Sequence, residues 1–132
     1  MSPTRFSHAW PAIPASVPDA RHAVVDYVRD ASGPDAPLGD IALAVSEGVT
    51  NAVHHAYLEG GPGEFRVDVE LAEDALEVVI EDDGRGMVPR ADSPGSGLGF
   101  PLMATVARFD ASTPDAGGTR VSLRFPRQAQ AA

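Results

Sequence analysis

The chain has 132 residues, 43% of them hydrophobic, and a net charge of −9. That length suits one domain, expected over residues 1–127 with residues 128–132 as a frayed tail. The sequence has no cysteine, and all ten of its basic residues are arginine. These absences exclude a disulfide framework, a thiolate metal site, a cysteine nucleophile and every lysine-based chemistry, from the P-loop lysine to the Schiff base.

The acidity disfavours contact with phosphate backbones and anionic lipid. No apolar run approaches the roughly 18 residues of a membrane span, and the N-terminus lacks a signal-type apolar run. The expectation is a soluble cytoplasmic domain that binds neither nucleic acid nor membrane.

Prolines break residues 1–18, leaving a short strand at 6–10 and a loop. Asp19 to Ala31 reads as a first helix with Val24, Val25 and Val28 as its apolar stripe, and Gly33, Pro34 and Pro37 end it. Leu38 to Leu58 is the clearest helix. Leu38, Ile41, Val45, Gly48, Ala52 and Ala56 recur at spacings of three and four, which makes one apolar face.

The period then changes to two. Phe65, Val67, Val69 and Leu71 alternate with polar residues, Glu73-Asp74 supplies a turn, and Leu76, Val78 and Ile80 continue on one face of a second strand. The two should pair as an antiparallel hairpin. Asp83 to Gly99 holds five glycines and two prolines and reads as a long functional loop. Leu98 to Phe109 is predicted as a third helix, and Thr119 to Pro126 as a last strand. The order β-α-α-β-β-α-β implies an α+β two-layer sandwich, with helices on one face of a mixed or antiparallel sheet.

Four polar clusters stand out. Glu47, Asn51 and His54 fall at i, i+4 and i+7 of the second helix, a single polar strip about a quarter turn from the core stripe. A carboxylate can accept a proton or orient a nucleophile, and an amide oxygen is a hard ligand suited to Mg²⁺. A solvated helix face produces the same pattern.

Asp82 begins Asp82-Asp83-Gly84-Arg85-Gly86. It shares the parity of Leu76, Val78 and Ile80, so its carboxylate points to the core side and needs a donor. The exocyclic amine of a purine is one such donor, although Asp-Gly is also an ordinary turn dipeptide. Gly95 to Phe100 opens the third helix, where backbone N–H groups can hold phosphate; a glycine hinge is the alternative. Thr119 has the inward parity of Val121, Leu123 and Phe125, as would a threonine bonded to backbone behind a hairpin turn. His54 and His55 point about 100° apart, which argues against a shared zinc site.

In their order these clusters resemble the GHKL ATPases, the gyrase, chaperone, histidine-kinase and MutL superfamily. Glu47 to Tyr57 is similar to the N box, Asp82 to Gly86 to the Asp-x-Gly-x-Gly box, Gly97-Leu98-Gly99-Phe100 to the second glycine box, and Gly118-Thr119 to the final one. Within that superfamily the wording resembles the anti-sigma-factor serine kinases of the RsbW and SpoIIAB type.

The resemblance implies a Bergerat-type ATP site between helices and sheet. Glu47 would be the general base and Asn51 the Mg²⁺ ligand, and Asp82 would take the adenine amine. Gly84, Gly86 and Met87 would shape the adenine pocket. Gly97, Leu98 and Gly99 would hold phosphates under a lid at Met87 to Ser96, Thr119 would support the adenine end, and His54 and His55 would border the nucleotide. The implied partners are a STAS-type anti-anti-sigma protein carrying the phospho-accepting serine, a sigma factor, and a second copy of the chain. The lid position where relatives often carry a basic residue is Gly95, and the N-box position often held by Lys or Arg is His54. An ATP-binding switch without kinase activity and a detached histidine-kinase catalytic domain are the alternatives.

Overall fold

The computed structural model describes residues 4–32, 36–58, 63–82, 108–112 and 119–126. Its elements are β1 (Thr4–Pro11), α1 (Ser16–Ser32), α2 (Leu38–Leu58), β2 (Glu64–Leu71), β3 (Ala75–Asp82), β4 (Arg108–Ser112) and β5 (Thr119–Pro126). The sheet runs β1-β2-β3-β5-β4, and every neighbouring pair is antiparallel. Both helices pack on one face, α1 over β1 and β2, and α2 over β2, β3 and β5. This is the expected α+β sandwich, with the sheet antiparallel throughout.

Strand periodicity decides which side is core. Phe65, Val67, Val69 and Leu71 of β2 are all buried, as are Leu76, Val78 and Ile80 of β3 and Val121, Leu123 and Phe125 of β5. From the helices, Ala20, Val24 and Val28 meet Ile41, Val45 and Val49 over that surface, all fully buried. Apolar burial at this density is the main stabilising term. On the opposite face, charged side chains pair across the strands. Arg5 bonds Glu70 at 2.9 Å and Arg120 bonds Glu81. Such exposed pairs contribute about 0–1 kcal/mol each, so they fix little beyond solubility and register.

Three expectations need correction. The first strand extends over Thr4–Pro11, well past residues 6–10. The first helix starts at Ser16, three residues before Asp19. Pro18 reads as a breaker, but in a first turn it forfeits only an N–H that has no helical partner; Val25 is also only half-buried, while Ala20 joins the buried stripe. The largest difference concerns Phe109, assigned to the end of a third helix. It lies in β4, opposite Leu123 of β5. The spacing Leu102, Val106, Phe109 suggested a helix, but Asp110 and Ser112 are poor helix formers, and pairing with β5 satisfies that strand's otherwise open edge. The remainder of that predicted helix, the glycine-rich loop and the tail lie outside the described residues. No helix among the described residues is long and apolar enough to cross a membrane.

Helix α2 carries one replaceable weakness. Gly39 is exposed in its first turn, and a Cβ built there meets nothing within 4 Å. Gly39→Ala should raise the unfolding free energy by about 0.4–1 kcal/mol by restricting the unfolded chain. Urea denaturation measures this directly, and a loss of stability would mean that position 39 is not regular helix.

Candidate functional site

Helix α2 presents two neighbouring faces to different surroundings. Ile41, Val45, Val49 and Ala52 enter the core. Glu47, Asn51 and His54 occupy the adjoining strip and are half-buried, as the helical spacing predicts. Just before Glu47, Arg21 of α1 donates from Nη1 to Ser46 Oγ at 3.4 Å, so the two helices are tied together at the start of the strip.

Across from the strip, β3 ends at Asp82. Register places Asp82 opposite Phe65 on one side and Thr119 on the other. Phe65 in turn stacks on Trp10, with ring centroids 5.7 Å apart. Asp82 Oδ1 accepts the backbone N–H of Thr119 at 3.3 Å, and Thr119 is buried. The donor that an inward carboxylate requires is therefore supplied in part by the protein's own backbone. That bond steers the carboxylate toward the helix layer.

Gly48, Asn51 and Ala52 of α2 close against Ile80, Asp82, Thr119 and Val121 around a cavity of ≈ 10 Å³, about the room one water needs. Gly48 and Ala52 matter because larger side chains there would hold the helix away from the sheet. The sequence pattern placed them in the core stripe; that they also border the cavity follows only from the packing of helix on sheet.

Three buried side-chain polar atoms among the described residues lack a hydrogen-bond partner: Tyr27 Oη, Asn51 Nδ2 and His54 Nε2. Tyr27 lies on α1, where burial pushes its hydroxyl pKa upward. The other two sit one turn apart on the α2 strip. An unpaired buried polar group costs about 1–3 kcal/mol, and two of the three fall on one turn of the candidate strip. Among the described residues no group of three or more His, Asp or Glu side chains is arranged to hold a metal ion.

The structure thus brings together Asn51, Asp82 and Thr119 around one cavity, with Glu47 and His54 on the same α2 strip as Asn51. The side chain of His55 and all of Gly84, Gly86, Met87, Gly97, Leu98 and Gly99 lie outside the described residues.

Comparison with known proteins agrees with this fold. Residues 10–125 match the model of the histidine kinase-like ATPase domain. The anti-sigma F factor of Clostridium novyi is 30% identical over 117 residues, covering 80% of this chain and 82% of that protein. Serine-protein kinase RsbW of Bacillus subtilis is 49% identical over 47 residues, covering 36% of this chain and 29% of that protein. A crystal structure of the RsbU and RsbW domains of a Mycobacterium tuberculosis protein superposes with a TM-score of 0.68 at 22% identity, over 98% of this chain and 34% of that one.

The unpaired amide yields a stability prediction. Asn51→Leu removes a buried unpartnered donor and substitutes a better helix former. Its melting temperature should equal or exceed that of the wild type. A loss above about 1 kcal/mol would show that the amide makes a structural bond.

Proposed function

The chain belongs to the histidine kinase-like ATPase family, in its anti-sigma-factor serine-kinase branch, and on that premise we propose that it binds Mg-ATP and phosphorylates a serine of a STAS-type anti-anti-sigma protein. In the same reading it sequesters a sigma factor in the cytoplasm, as a homodimer.

The observation that carries the proposal is the convergence of two unpartnered buried nitrogens, on Asn51 and His54, with the Asp82–Thr119 pair at the far side of the same helix–sheet contact. Asp82 accepts the exocyclic amine of adenine and, through the Thr119 N–H, keeps its orientation when the site is empty. Thr119 would lie beside the adenine end, and by their motif Gly84, Gly86 and Met87 would shape the rest of the pocket. Asn51 holds Mg²⁺ through its amide oxygen. By the same motif reading His54 and His55 would border the phosphates, and Gly97, Leu98 and Gly99 would hold them through backbone N–H groups. Bound Mg²⁺ supplies charge neutralisation at the transferring phosphoryl group. Glu47 lies one turn from Asn51 and takes the proton of the acceptor serine.

Two substitutions separate binding from chemistry. Asp82→Asn retains an acceptor for the Thr119 N–H but presents a donor to the adenine amine. It should weaken ATP binding by about 1.5–3 kcal/mol, roughly ten- to a hundredfold; unchanged affinity by calorimetry in the folded variant would refute the pocket.

Glu47→Ala should leave ATP affinity intact and slow phosphoryl transfer by about 10²–10⁴-fold. Transfer at the wild-type rate would exclude Glu47 as the base. If the wild type binds ATP but phosphorylates no STAS protein, the chain is a nucleotide-dependent switch instead of a kinase.

A further inference from the structure

We propose that Trp10 and Phe65 are positioning residues for the purine site: their stack keeps one flank of the Asp82 carboxylate dry and aims it at the helix layer, and so sets the preference for adenine over guanine. This inference rests on the reading of Asp82 as acceptor of the adenine amine.

The strand registers form one row at an end of the sheet. Trp10 of β1 stands opposite Phe65 of β2, Phe65 opposite Asp82 of β3, and Asp82 opposite Thr119 of β5. Residues directly opposite one another project on the same face, with Cβ atoms about 4.5–5.5 Å apart. The row therefore lies on the inner face, where Phe65 is 1% exposed and Thr119 is buried.

Asp82 thus has two unlike neighbours. On the β5 side the backbone N–H of Thr119 donates to Oδ1. On the β2 side stands a phenyl ring, which carries no donor and, being buried, keeps water from that flank. Its bulk also stops the carboxylate from swinging toward β2. Between the two, Asp82 is directed toward α2 and the cavity that Asn51 also lines. A charge-assisted hydrogen bond is stronger where water is excluded. The dry flank therefore sharpens the difference between an amine, which donates to the carboxylate, and a carbonyl oxygen, which it repels.

Phe65 needs support on its far side to hold that place. β1 is at the edge of the described sheet, so the support comes from Trp10 itself. Its ring stacks 5.7 Å from that of Phe65, inclined by 26°, within the range of stabilising aromatic pairs. His8 contacts Trp10 in turn, with ring centroids 4.5 Å apart. The chain is tied down beside the stack, where the N–H of Ala12 bonds the carbonyl of Gly63 at 2.8 Å. The other aromatic contact of β1 points elsewhere. Phe6 stands opposite Val69 and meets Tyr27 of α1, with centroids 5.2 Å apart. Phe6 is therefore a control for the general cost of removing an aromatic ring from this strand.

Calorimetry of the full chain with Mg-ATP and Mg-GTP tests the role. Trp10→Ala is expected to bind ATP about tenfold more weakly, with GTP affinity unchanged, so that most of the preference is lost. Trp10→Phe and Phe6→Ala are expected to keep both affinities. Trp10 is the single tryptophan of the chain, so the wild type also carries its own readout: Trp10 emission is expected to change saturably during ATP titration, at the calorimetric Kd. That measurement decides the matter even if Trp10→Ala does not fold. Full ATP preference in a folded Trp10→Ala, an equal loss in Phe6→Ala, or emission unaltered at saturating ATP overturns the positioning role while the adenine reading stands. A wild-type chain that binds neither nucleotide overturns the adenine reading itself, and this inference with it.

Discussion

The close approach of α2 to β3 and β5 is the constraint from which the rest follows. Gly48 and Ala52 allow it, and Ile80 and Val121 receive it. Because the helix lies so near the sheet, the strip beside its buried face cannot be fully solvated. Glu47, Asn51 and His54 are half-buried as a result, and Asp82 borders the same cavity as Asn51 from the end of β3. An isolated amphipathic helix would leave the same residues in water, where an amide and an imidazole are bound to solvent and select for nothing.

That proximity has a thermodynamic consequence. Burial of two unpartnered nitrogens opposes folding by about 1–3 kcal/mol each, a large amount against the 5–15 kcal/mol that typically separates folded from unfolded states. A bound acceptor returns this energy as affinity, so the chain gains stability with its ligand. The opposite sheet face behaves differently. There Arg5, Arg120 and Arg124 lie beside Glu70, Glu81 and Glu77. The contrast separates a face of exposed ion pairs from one that carries buried unpartnered polar atoms.

Much of this was legible in the sequence because hydrophobic period reports burial directly. The bounds of α2 and β5 coincide with the predicted ones. The parity of Asp82 with Ile80, and of Thr119 with Val121, placed both residues on the inner side before any coordinates. Their mutual bond was not legible, since register between β3 and β5 depends on a connection whose path the sequence does not specify. The strand at Arg108–Ser112 was missed because Phe109 continues the helical spacing of Leu102 and Val106, and only the open edge of β5 decides for pairing. The early start of α1 was obscured by Pro18, which stops a helix in its interior but not in its first turn. The unpaired nitrogens had no sequence signature at all: spacing put Asn51 and His54 on one strip, but whether their polar atoms are satisfied depends on what packs around them.

The central claim is that the helix–sheet contact forms a purine site read by the Asp82 carboxylate. A carboxylate accepts from the amine at C6 of adenine and repels the carbonyl oxygen that guanine carries there. Calorimetric titration of the full chain with Mg-ATP and with Mg-GTP tests this most directly. The account predicts saturable ATP binding and GTP binding weaker by at least about tenfold, the loss of one charge-assisted hydrogen bond. Equal affinities for the two nucleotides, or no binding of either, would contradict it.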